Sequence, residues 1–79
     1  MQSREAATGE QAYAALWSAR WKTLRLLLHP YLHWTRADGR VVRGRDKVLA
    51  VLHEDRPALP PRVTELRDGQ VYRWDSRAG

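Results

Sequence analysis

Cysteine is absent from the 79 residues, and so are phenylalanine, isoleucine and asparagine. Without cysteine there is no thiolate nucleophile, no Cys-type zinc site and no disulfide framework, and a reducing, cytoplasmic setting is expected. Long apolar runs are missing as well. Residues 26–28 are three leucines in a row, far short of the ~20 residues that span a bilayer, so no membrane partner is expected. A chain this short holds one domain with a thin core, which makes self-association into a homodimer the expected state.

Lysine is scarce. Only Lys22 and Lys47 stand beside twelve arginines, and the net charge is +5. A basic chain invites a nucleic-acid reading, because guanidinium groups displace counterions from phosphates. The richness in Ala and Arg, with no Ile, Phe or Asn, is also the mark of a GC-rich bacterial genome, and the basic residues are spread among acids rather than gathered in a block. Arg40, Arg43 and Arg45, with Lys47, form the densest basic group and are the candidates for nucleic-acid contact. A nucleic-acid-binding module is therefore an alternative, not the leading reading.

Along the chain, residues 1–7 have no period and are expected to be a disordered terminus. Thr8 stands three residues before Gln11, a capping-box spacing that opens a helix. Tyr13, Leu16, Trp17, Trp21, Leu24, Leu27 and Leu28 follow at helical spacing, as one helix or as two broken near residues 18–20. Pro30 disfavours helix at His29. Leu32 and Trp34 then alternate with Tyr31, His33 and Thr35 as in a strand.

Asp38-Gly39 predicts a turn, residues 40–43 a short extended piece, and Gly44 the entry to a helix carrying Val48, Leu49, Val51 and Leu52. Pro57, Pro60 and Pro61 make a stiff connector. Asp68-Gly69 between residues 62–67 and 70–74 predicts a two-residue hairpin, with Leu66 facing Val71, Glu65 facing Tyr72 and Val63 facing Trp74. On that register Val63, Glu65, Tyr72 and Trp74 share one face. The fold class is α+β: helices packed on a small, curved, antiparallel sheet in a single domain over residues 8–75, with residues 76–79 frayed.

Three stretches, LRLLLHPYLHW, GRVVRGRDKVLAVL and ELRDGQVYRW, together resemble the nuclear transport factor 2-like, SnoaL-like superfamily over residues 12–75. They correspond to its second helix and first strand, its Gly-led third helix and its closing hairpin. The resemblance implies a cone-shaped domain, abbreviated here, that often dimerises and holds a small molecule between helices and sheet. Some members are polyketide cyclases or ketosteroid isomerases. The chain departs from the family where an Asp commonly follows the Pro ending the second helix, since Tyr31 stands there. It also has only the Pro-rich connector where the family has further strands.

Two functional readings follow. The first is a domain that binds a small apolar ligand or serves as a dimeric structural module, with Trp17, Trp34, Tyr72 and Trp74 as the candidate ligand-contacting aromatics, although packing is the main role expected of Trp17, Trp34 and Trp74. The second is a cyclase- or isomerase-like enzyme, with His33 as base, Tyr13 as oxyanion donor and Glu65 near them, provided the strand faces point toward the first helix. No cofactor and no metal are expected. His29 and His33 are separated by Pro30, and Gly39 to Gly44 is followed by Arg45-Asp46 rather than a phosphate-loop Lys and hydroxyl residue.

Overall fold

The computed structural model describes residues 3–77. Three helices and four strands follow in the order α1 (Arg4–Trp17), α2 (Trp21–Leu27), β1 (Leu28–Thr35), β2 (Val41–Arg43), α3 (Arg45–Glu54), β3 (Arg62–Arg67) and β4 (Gln70–Asp75). Helix α1 starts at Arg4 rather than at Thr8. Its cap is Ser3, whose hydroxyl accepts the Ala6 N–H at 3.1 Å and satisfies one of the first-turn donors. Residues 4–7, expected to be disordered, are thus helical, while residues 1 and 2 lie outside the described residues. At the other end Ser76 donates its N–H to the Thr35 carbonyl at 2.8 Å. Residues 78 and 79 of the expected frayed tail lie outside the described residues.

The first helical pattern is two helices, broken where the sequence is weakest. Ala19 adopts a left-handed conformation, φ +55°. The Arg20 N–H reaches back to the Ala15 carbonyl at 2.9 Å, and the Ala19 N–H to the Leu16 carbonyl at 3.2 Å. This is a Schellman cap, ordinarily built on glycine. Helix α1 then passes close over β3: a Cβ on Gly9 would meet Val63 Cγ2 at 3.0 Å.

The sheet order is β2-β1-β4-β3. The β1–β2 and β3–β4 pairs are antiparallel as expected, but the central β1–β4 pair is parallel, so the sheet is mixed. The reason lies in the hairpin's own composition. Strand β4 carries Val71 and Trp74, both fully or almost fully buried, and takes the interior position, whereas β3 carries Arg62, Glu65 and Arg67 and forms the charged edge.

The β1–β4 register runs from Leu28↔Val71 to His33↔Arg73, so β1 bulges around Pro30. Proline has no N–H to give the ladder. The Tyr31 N–H is taken up locally by His29 Nδ1 at 3.1 Å.

The hairpin turns through Asp68 and Gly69 at φ +55° and +75°, both positive as a type I′ turn requires. Leu66 faces Val71 and Val63 faces Trp74 as expected, but Glu65 pairs with Arg73 instead of Tyr72. The irregularity matters for the faces. In a regular strand Val71 and Trp74 would point to opposite sides, yet both are in the core with Val63, and Leu66 packs against it. Glu65 and Tyr72 do not share the face of Val63 and Trp74.

One apolar cluster joins the three helices to one side of the sheet: Ala12, Ala15 and Leu16 from α1, Leu24 from α2, Val48 and Leu52 from α3, and Leu28, Leu32, Trp34, Val63, Val71 and Trp74 from the strands. Each fully buried Leu contributes about 1.5–3 kcal/mol over exposure. No helix among the described residues is long and apolar enough to cross a membrane.

Candidate functional site

The aromatic residues expected to line one ligand pocket are dispersed by the fold. Trp34 and Trp74 are core residues, 2% and 1% exposed, with ring centroids 6.1 Å apart. The Trp34 indole donates to Ser76 Oγ at 2.8 Å. Trp17 is neither core nor beside them: it is 51% exposed on the far end of α1. The Arg56 guanidinium lies 5.5 Å from both the Trp17 and Trp21 rings. His53 stacks on Trp21 at 3.7 Å.

Tyr72 lies on the opposite side of the sheet from the helices. The clefts that open on the surface are shallow, and one of them reaches Trp34. Their volumes are about 240, 290 and 100 Å³, and neither His33 nor Glu65 lines any of the three.

The three residues with candidate acid-base roles divide in the same way. Tyr13, on α1, shares its hydroxyl proton between the carbonyl oxygens of Pro57 at 3.1 Å and Ala58 at 3.0 Å. It ties the connector to the helix layer. His33 and Glu65 lie instead on the outer face of the sheet, opposite Leu32 and Trp34, so the strand faces that carry them do not point toward α1. His33 packs on Tyr72 with centroids 5.7 Å apart, and Glu65 accepts from Arg73 at 3.1 Å and faces Arg67 at 3.5 Å. The geometry therefore brings together His33 and Glu65 around Tyr72, and leaves Tyr13 out.

Besides the candidate Arg43, that outer face holds His29, Tyr31, Arg67 and Arg73, none of which was a candidate site residue. His29 is buried there, its ring 5.2 Å from Tyr72 and 5.9 Å from Tyr31, with Nε2 3.6 Å from Asp68. Arg67 lies 3.9 Å above the Tyr72 ring. Tyr31 is 73% exposed. Register places Arg43 of β2 and Arg73 of β4 on either side of His33. None of this is visible in the sequence, because the residues are brought into one row by cross-strand pairing and not by spacing along the chain.

Of the arginines named as nucleic-acid candidates, Arg40 is at the tip of the β1–β2 hairpin beside Asp38 at 3.5 Å. Arg43 and Arg45 line the 240 Å³ groove between β2 and α3, with Pro30, Gly44, Asp46 and Lys47. The Asp46 carboxylate there is bound by Arg25 at 2.8 Å. Among the described residues no group of three or more His, Asp or Glu side chains is placed to hold a metal ion.

No protein-family profile matches the chain, and no curated protein matches it significantly. The structure is similar to the crystal structure of a Kribbella flavida protein described as a candidate ketosteroid isomerase. The TM-score is 0.72 at 16% identity, covering 91% of this chain and 75% of that one. The likeness is one of fold: helices on a small mixed sheet, in the nuclear transport factor 2-like arrangement.

Proposed function

We propose that the chain is a non-catalytic binding domain of nuclear transport factor 2-like fold, and that its working surface is the outer face of the sheet. The observation that carries this reading is that Trp34 and Trp74, 2% and 1% exposed, are packed in the core cluster and not presented to an open pocket. An isomerase of the kind named for the structural neighbour needs a base and an oxyanion donor facing one apolar site. Here the base candidate His33 is on the outer face, and the donor candidate Tyr13 is spent on the Pro57 and Ala58 carbonyls. The polar and aromatic groups that remain available lie around Tyr72.

The test is turnover of a β,γ-unsaturated 3-ketosteroid followed by ultraviolet absorbance, with steroid quenching of tryptophan fluorescence in parallel. Neither isomerisation nor saturable quenching is expected. Turnover that disappears in His33→Ala while the fold persists would overturn the reading. A homodimer through the outer face is the rival use of the same surface, and light scattering across concentration measures it.

A further inference from the structure

We infer that the outer face of the sheet, together with the groove between β2 and α3, binds a single-stranded nucleic acid; this rests on the surface-binding reading above and names its partner. The register His33↔Arg43 and His33↔Arg73 sets Arg43, His33 and Arg73 in one row across three strands. At Arg43 the row runs into the groove that Arg45 and Lys47 also line. The side chains of Arg43 and Lys47 make no hydrogen bond or ion pair among the described residues, and the one acid lining the groove, Asp46, is engaged by Arg25. These cations are free to meet phosphates.

One exposed ring lies on this face: Tyr31 is 73% exposed, while Tyr72 is half-buried, packed with His33 and beneath Arg67. A base has a π-face for such a ring, and stacking on it does not require a particular sequence. The combination discriminates among occupants. Inorganic phosphate makes no use of Tyr31, an apolar ligand makes no use of Arg43 and Lys47, and a duplex keeps its bases stacked away from an open sheet. A second copy would set the unpaired side chains of Arg43 and Lys47 against their own like, with Glu65 already shared by Arg67 and Arg73. A flexible polyanion with exposed bases uses both features.

The experiment is fluorescence anisotropy of a labelled oligouridylate titrated with the full chain, from low to physiological salt. Saturable binding is expected, with log Kd rising linearly in log salt. Tyr31→Ala weakens it by about five-fold or more. Arg43→Ala and Lys47→Ala each weaken it and each lower the salt slope by about 0.7. Lys22→Ala, on exposed α2 surface, leaves it unchanged. Circular dichroism melts report whether each variant is folded; Tyr31, Arg43 and Lys47 lie outside the core cluster.

Absence of saturable binding at low salt overturns the proposal. So does binding that Tyr31→Ala and Arg43→Ala leave untouched, or equal affinity for a duplex of the same length. If the oligonucleotide does not bind but light scattering shows a dimer that Tyr31→Asp dissociates, the nucleic-acid partner is wrong and the outer-face reading stands. Loss of both results removes both.

Discussion

The Tyr13 hydroxyl and the Pro57 carbonyl, 44 residues apart in sequence, are joined by a 3.1 Å hydrogen bond. The contact turns a residue with the chemistry of an oxyanion donor into a strut between α1 and the proline-rich connector. Tyr13→Phe removes the bond and keeps the ring. A net loss of about 1 kcal/mol is expected, the worth of a neutral hydrogen bond, read as a lower urea midpoint with an unchanged slope. A change of less than ~0.3 kcal/mol would mean that the connector is held by its other contacts.

The αL conformation of Ala19 carries a steric cost that glycine does not. Ala19→Gly keeps both cap bonds and relieves that cost, partly offset by the greater freedom of glycine in the unfolded chain. A gain of about 0.5–1 kcal/mol in thermal or urea unfolding is expected. Gly44 is the opposite case. Its φ +93° and ψ +136° at the start of α3 lie in a region that only glycine occupies readily, so Gly44→Ala should cost about 1–3 kcal/mol, although a Cβ there meets no atom within 4 Å. The strain is in the backbone and not in a clash.

Trp34 and Trp74 make a matched pair. Both are buried, but only Trp34 Nε1 has a partner, Ser76 Oγ. Trp74 Nε1 has none among the described residues. Replacing each by Phe removes similar volume from the core. Trp34→Phe also breaks a hydrogen bond, whereas Trp74→Phe deletes a buried donor without one. Trp34→Phe should therefore be the more destabilising by about 1 kcal/mol or more, compared in the same urea titration. The reverse order would contradict this account of the two indoles.

Asp75 supplies the pH dependence. Hydrogen bonds from the Arg77 side chain and backbone hold its carboxyl down at about 2, from an ordinary 3.8. A carboxyl whose pKa is depressed on folding binds fewer protons than in the unfolded chain, so it stabilises the fold above the unfolded value. That stabilisation is lost as pH falls from about 4 to about 2. The contribution is small, because Arg77 is mostly solvated and screening weakens the pair. Asp75→Asn should flatten the decline of thermal stability over that interval and leave the neutral-pH slope unchanged.

Local chemistry was legible in the sequence wherever neighbouring residues decide it. The Asp68-Gly69 turn, the helix entry at Gly44 and the strand alternation of Leu32 and Trp34 follow from backbone freedom and periodicity, which the sequence itself determines; whether the first helical pattern is one helix or two it left open. These features led to helices on a small sheet, and that arrangement is present. The tertiary structure alone decided which strand of the last hairpin occupies the sheet interior. The apolar weight of Val71 and Trp74 drew β4 beside β1 in parallel, and the missing N–H of Pro30 bent β1 to allow it.

From those two choices came the separation of Tyr13 from His33 and Glu65, the packing of Trp34 and Trp74 in the core cluster, and the row of Arg43, His33 and Arg73. A cross-strand neighbour is set by register. Register depends on which side chains must be covered, a property of the packed whole that spacing along the chain does not carry.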